Sequence, residues 1–383
     1  MAKKTIVILG GGIGGIVAAR ELKRLLGHRH RVVVIDKNPV HAFPPSFLWV
    51  MVGWRKPAAI QKPLSLLEKY GIEFHNAAVR AIHLHKQTVE TDITTFSYDY
   101  LVIALGAELT PQQIPGLTEA AHSFYSLEGA ERLYRALKTL SGGTVGIAIS
   151  SLPYKCPPAP YEAALLIESY LLRKGASGVA IKVFTPEATP LQVAGPSAGR
   201  ALQDLLQQRR IDLYTGHKLS IIQPTKKQVT FENGSTAEVN LLISIPPHQA
   251  PEVVRAAGLT NTTGWIPVDQ RTMRTEHPNV FAIGDVTVIP LPSGLPLPKA
   301  GVFVVNQAEV VAHNIARQVQ NHGATRQFDG IGYCFLETGN GKAAYMNGDF
   351  FVSQTPSVTF HEPSVKYHWA KVVFEKYWLW RWF

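Results

Sequence analysis

The chain has 383 residues, 46% of them hydrophobic and 17% charged, with a formal net charge of +10. That length exceeds what one core usually supports, so two or more domains are expected, and the composition is globular rather than disordered. No charge-free run of 18 apolar residues occurs, so no transmembrane helix is expected; the basic excess favours anionic surfaces, yet without a basic run of five, a helix-turn-helix or a zinc-ligand spacing neither nucleic acid nor a metal is an expected partner.

In chain order, MAKKTIVILGGGIGG combines a basic pair with a short apolar run, as a signal peptide does. The run passes straight into glycines without a small-residue cleavage site, so it reads as a first strand, Thr5 to Leu9. Gly10, Gly12 and Gly15 follow, then an amphipathic helix, then a second strand, RVVVIDK, ending at Asp36 and Lys37. This is the setting a dinucleotide fingerprint requires: Gly10 for the tight turn, Gly12 for close approach of a pyrophosphate, Gly15 for helix packing, and Asp36 for a ribose, with Lys37 beside it. YDYLVIALGAE predicts another strand running into a glycine turn at Gly106.

GTVGIAISS predicts the first strand of a second Rossmann-like unit, and Tyr161 to Lys174 its first helix. A second nucleotide site would place glycines between them. Here the connection is SSLPYKCPPAP, where prolines lack the N–H donors a pyrophosphate needs and a thiol, Cys156, stands instead. Farther on, EHPNVFAIGDVT predicts a strand ending in Gly284 and Asp285, and IPLPSGLPLPKAGVF carries Lys299 and Gly301. The only other cysteine, Cys334, lies in GYCFLETGNGKAAY; two cysteines are too few for a disulfide framework. The chain ends in KYHWAKVVFEKYWLWRWF, with Trp369, Trp378, Trp380 and Trp382 interleaved with lysines and Arg381. Such a tail suits a bilayer interface, or packs on the protein itself.

The order of these glycine motifs resembles that of the flavoproteins with two dinucleotide-binding domains. PYKCPPAPYE, GYCFLETGNGKAAY and the lysine of LPLPKAGVF resemble sulfide:quinone oxidoreductases over nearly the whole chain, and also the flavin subunit of flavocytochrome c sulfide dehydrogenase. The resemblance implies an α/β fold of two tandem Rossmann-like FAD/NAD(P)-type domains with a small C-terminal membrane-contact region. Residues 1–110 and 265–325 would form the FAD domain, residues 111–264 the second domain with a degenerate site, and residues 326–383 the C-terminal region. It further implies that sulfide attacks a bridge between Cys156 and Cys334, that one cysteine becomes a persulfide, and that electrons pass through FAD to a membrane quinone. Glu162 matches the family's PYE and is a candidate proton carrier; a first-turn glutamate favoured by the helix dipole is the equal alternative. Lys299 would lie by the flavin ring. Tyr345, Phe350 and Trp369 are candidate quinone contacts, on aromatic character alone.

The departures are informative. Many family members carry a third cysteine where this chain has SFYSLEGAE with Tyr125, and TPEATPLQVAG lacks an active-site histidine. Flavocytochrome subunits attach FAD through a cysteine near HAFPPSFLW; none is here, so FAD is expected to be non-covalent. The expected location is a cell membrane, peripherally and through the C-terminal tail. A homo-oligomer is compatible with the sequence, which derives neither dimer nor trimer. The competing readings are a sulfide dehydrogenase subunit serving a cytochrome, and a flavoprotein whose thiols sense redox state.

Overall fold

The computed structural model describes residues 2–352 and 356–383. The first sheet is wholly parallel, in the order Val280–Ala282, Tyr100–Ile103, Thr5–Leu9, Arg31–Asp36, Glu73–Asn76. Its central strands are nearly continuous β-branched and leucine runs because helices and loops cover both faces. The helix Ile13–Leu26 crosses between the first two strands, and the long helix Gly301–Gln320 packs against it. The strand Val280–Ala282, far along the chain, thus lies beside Tyr100–Ile103 in this first sheet.

A second parallel sheet runs Ala121–His122, Leu241–Ile245, Gly143–Ile149, Val179–Phe184, Asp212–Tyr214. The helix after Gly143–Ile149 is Ala159–Arg173, starting two residues before the sequence expectation. Proline in its first turn explains the early start, since a fixed φ and a missing N–H cost nothing there.

The chain closes with an antiparallel sheet, Ile331–Gly339, Lys342–Asp349 and Ser357–Ser364, followed by the helix Val365–Arg381. Ser364 caps that helix by accepting from the Tyr367 amide. The helix lies on one face of the sheet and reaches back to the first domain, where Trp378 stacks on His41. Among the described residues no helix is long and apolar enough to cross a membrane.

Candidate active site

The glycine turn after Thr5–Leu9 is built as its spacing predicts. Gly10 has φ +104°, and a Cβ there would sit 2.4 Å from the Ala104 carbonyl oxygen. A Cβ on Gly15 would sit 1.8 Å from the Gly10 carbonyl oxygen, so only glycine lets helix and strand meet this closely. Gly12 and Gly106 instead face open space. Gly12 is the N-cap of the helix and offers no capping side chain, so its first amides stay free for an anion. The Asp36 carboxylate accepts from the Gly11 amide (2.6 Å) and the Asn38 amide (2.7 Å), leaving lone pairs for a ribose. Lys37 is exposed, and its carbonyl accepts from Asn76. Open space at two turn glycines, free helix amides and a held carboxylate together fit a dinucleotide.

The sequence reading did not identify His41. Its Nδ1–H donates to the Gly11 carbonyl (3.1 Å), and its ring lies 5.0 Å from that of Trp378. Burial lowers its pKa to about 4, so it stays neutral. On the far side of the cradle the Gly284 amide donates to the buried side chain of Gln307 (2.9 Å). Gly301 opens the helix behind this turn, close to the side chain of Ile13.

Lys299 joins the cradle to the thiols. Its ammonium is buried and donates to the carbonyls of Asp285 and Thr287, each at 2.7 Å, and lies 3.6 Å from the centre of the Trp265 ring. Burial lowers its pKa to about 8 against the opposing charge of Asp285. The Lys299 carbonyl in turn accepts from the Cys156 amide (2.6 Å). Cys156 has φ +54°, a left-handed conformation that costs a non-glycine residue energy and persists only where neighbours impose it. Those neighbours are Lys299, the Ala159 amide donating to the Cys156 carbonyl (2.9 Å), and Tyr125, whose hydroxyl donates to the Lys155 carbonyl (2.8 Å). Burial raises the pKa of Tyr125, reinforced by Cys156 and Asp285.

Cys334 meets Cys156. A hydrogen bond with the Cys156 side chain, then burial, holds the Cys334 thiol well above its ordinary pKa. Both cysteines are half-buried and free. Cys334 pairs with Met346, while its neighbour Phe335 pairs with Tyr345. Side chains alternate along a strand, so the thiol and the Phe335–Tyr345 rings occupy opposite faces of the sheet.

The match to known proteins is extensive. The model of the pyridine nucleotide-disulphide oxidoreductase family covers residues 4–313. The sulfide-quinone reductase of Aquifex aeolicus is 30% identical over 99% of this chain and 91% of its own length. Its X-ray structure superposes with a TM-score of 0.90, again over 99% of this chain and 91% of that one. The mitochondrial sulfide:quinone oxidoreductase of Mus musculus is 27% identical over 93% of this chain and 80% of its own length. The chain belongs to the sulfide:quinone oxidoreductase family. It is therefore a flavoprotein oxidoreductase of α/β fold, and FAD is the group that the cradle fits.

Like that family, this chain carries a second Rossmann-like unit. Glu187 stands just after its strand Val179–Phe184, much as Asp36 ends its strand in the first unit. Its carboxylate accepts from Tyr161 (2.9 Å), Thr185 (3.1 Å), Tyr154 (3.3 Å) and the Gln192 amide (3.2 Å). Side chains of the proline loop and the following helix thus occupy the acid that a second ribose would need.

Glu162 and the C-terminal helix meet beside Cys334. Glu162 is buried and paired with Lys371, also buried. Burial raises the Glu162 carboxyl to about 7, against the pull of Lys371. At Lys371 burial acts downward, but Glu162 and Glu337 outweigh it and the net shift is upward. The inward turn of Lys371 divides the tail that composition alone presents as one interface: Lys371, Glu375, Trp378 and Trp382 are buried, whereas Trp369 and Trp380 are 59% and 74% exposed. A lysine is in the interior because a carboxylate waits there, a pairing no local pattern announces.

The three aromatic quinone candidates have different neighbours. Tyr345 lies 5.2 Å from the Phe335 ring and 5.2 Å from Tyr367, within a cluster that continues through Tyr333 to Phe374. Phe350 is buried edge-on against Phe303 (5.3 Å), and Trp369 sits beside His368 (5.8 Å).

Two glycine variants separate fold from cofactor. Gly15→Ala forces helix and strand apart and is expected to cost about 1–3 kcal/mol, read as a lower Tm. Gly12→Ala meets open space, so its apoprotein Tm should be unchanged while FAD affinity, read by flavin fluorescence on release, falls. A Gly12→Ala protein that retains flavin like the wild type contradicts the cradle assignment.

Proposed function

We propose that the protein oxidises sulfide to zero-valent sulfur or polysulfide at Cys156 and Cys334 and delivers the electrons to a quinone. The observation that carries this reading is that two free thiols far apart in sequence are brought close enough for one to shift the titration of the other. Bridged, they present an electrophilic sulfur to hydrosulfide. Attack forms a new S–S bond on one cysteine, a persulfide, and breaks the bridge, releasing the other as thiolate. Glu162, with a carboxyl near 7, takes the proton that sulfide gives up. FAD supplies a two-electron carrier between thiols and quinone, held without a covalent bond because both cysteines of the chain are engaged in sulfur chemistry. Gly10, Gly12, Gly15, Asp36, Gly106, Gly284 and Asp285 would hold it, with Lys299 fixing the Gly284–Asp285 turn.

The quinone headgroup has its best support on the opposite face of the sheet, where Tyr333, Phe335, Tyr345 and Phe374 offer planar rings. Access to a membrane quinone fits the outer stripe of the C-terminal helix. Val365, Trp369, Val373, Tyr377 and Trp380 recur at three- and four-residue spacing and are all exposed, with Lys366, Lys376 and Arg381 beside them. Rings and basic side chains on an exposed helix face suit an anionic bilayer surface.

Cys156→Ser and Cys334→Ser should each retain FAD and lose flavin reduction by sulfide. Full reduction in either variant eliminates the two-thiol mechanism. Glu162→Gln should slow that step by about 10²-fold. Its carboxylate accepts a proton only when ionised, so the wild-type rate should rise with pH through about 7 and the variant should lack that limb. A limb that survives in the variant assigns the base to another group.

The membrane contact is tested with Trp369→Gln and Trp380→Gln together, since the buried Trp378 and Trp382 belong to the fold. Binding to liposomes containing anionic lipid should fall by about 10-fold or more with Tm unchanged. Unaltered binding means that the stripe is not the lipid face.

A further inference from the structure

A chain of ionisable side chains leads outward from the thiols, and the chemistry so far uses only its inner end. Glu162 and Lys371 form the inner pair beside Cys334. The Glu337 amide donates to the Glu162 carboxylate, and the Glu337 carboxylate acts by its charge on both Glu162 and Lys371. Fully buried, that carboxylate accepts from Nδ1 of His368, which is 3.0 Å from both its oxygens. His368 lies three residues before Lys371 on the C-terminal helix, and its side chain is 17% exposed. Trp49 and Trp54 present edges to its ring at 6.5 and 6.0 Å, and the exposed Trp369 is its neighbour. The cations nearest these tryptophans are Arg55, over Trp49 and paired with Glu375, and Arg173, over Trp54. Arginine does not release a proton, so His368 is the exchangeable group at the outer end.

The stoichiometry calls for such a route. Oxidation of hydrosulfide to zero-valent sulfur yields two electrons and one proton, whereas reduction of a quinone to a quinol takes two electrons and two protons. Each turnover therefore draws one proton from solvent into a site whose carboxylates and ammonium are buried. We infer that this proton enters at His368, crosses Glu337 and reaches the Glu162–Lys371 pair, which places His368 and Glu337 in the proton supply for quinone reduction. The inference rests on the quinone-reducing reading above. The sulfide proton loads the same inner pair from the thiol side, so the two protons of the quinol have separate origins. His368 acts through Glu337 and is a positioning and relay residue rather than one that touches substrate.

The test isolates the quinone half-reaction. Holoprotein is reduced with dithionite under anaerobic conditions and mixed with a soluble quinone, and flavin reoxidation is followed in H2O and D2O. His368→Gln keeps a hydrogen-bond donor but cannot carry the proton; His368→Ala leaves space for added imidazole. Reoxidation is expected to slow by about 10-fold or more in both variants, with a larger solvent isotope effect. Flavin reduction by sulfide, measured separately, should stay within about twofold of wild type. Imidazole should restore the His368→Ala rate. Wild-type reoxidation rates overturn the route, as does slowing that imidazole does not relieve, which marks a structural clamp. Glu337→Gln is the second variant; being fully buried it is judged only where its Tm matches wild type, and the His368 pair decides the question otherwise. If quinone fails to reoxidise the wild-type flavin, the quinone reading itself falls; if only the His368 variants behave normally, that reading stands and the route alone is lost.

Discussion

Cys156 is held in a left-handed backbone conformation by an amide bond to the Lys299 carbonyl, and the ammonium of the same lysine holds the carbonyls of Asp285 and Thr287. One residue therefore fixes both the thiol loop of the second domain and the cofactor turn of the first. A buried lysine is costly unless its donors are satisfied, and here two carbonyls and the face of Trp265 share the charge. In the proposed mechanism the geometry of sulfur against flavin depends on this strut. A mobile thiol loop would place the nucleophile at random relative to the cradle, whereas proximity chemistry requires it within a few tenths of an ångström.

The C-terminal helix makes the second connection. Its inner face carries Lys371 to Glu162 and Trp378 to His41, which itself rests on the Gly11 carbonyl. Its outer face carries a stripe of exposed rings. One helix thus touches the acid beside the thiols, the glycine loop of the cradle and the proposed lipid surface. The antiparallel sheet beneath it places Cys334 on one face and the Phe335–Tyr345 rings on the other by strand alternation.

Much of the cradle is legible in the sequence because its constraints are local. Gly10, Gly15 and the β-branched strand before them specify a turn within a dozen residues, and the strands Thr5–Leu9 and Arg31–Asp36 lie where the pattern puts them. The proline loop is legible for the same reason: a run without N–H donors cannot cradle phosphate, and the tyrosines that meet Glu187 follow from it. The ion pairs are not legible, because their partners lie hundreds of residues apart. Lys371 looks like one more interfacial lysine until Glu162 is seen opposite, and nothing near His368 announces Glu337. The division of the tail was available in principle: positions 369, 373, 377 and 380 form one helical stripe and 371, 375, 378 and 382 another, a 3.6-residue signal that tryptophan content obscures. The direction of Lys299 was not available, since backbone carbonyls leave no trace in composition.

In the proposed mechanism electrons enter from sulfide at the thiols rather than from a nucleotide in the second domain. The most direct measurement is the flavin spectrum of the purified holoprotein under anaerobic conditions, with sulfide added first, then a soluble quinone, and NADH in a parallel cuvette. Bleaching by sulfide, recovery with quinone and no response to NADH is the predicted result. Bleaching by NADH with none by sulfide would contradict the assignment of Cys156 and Cys334 as the entry point.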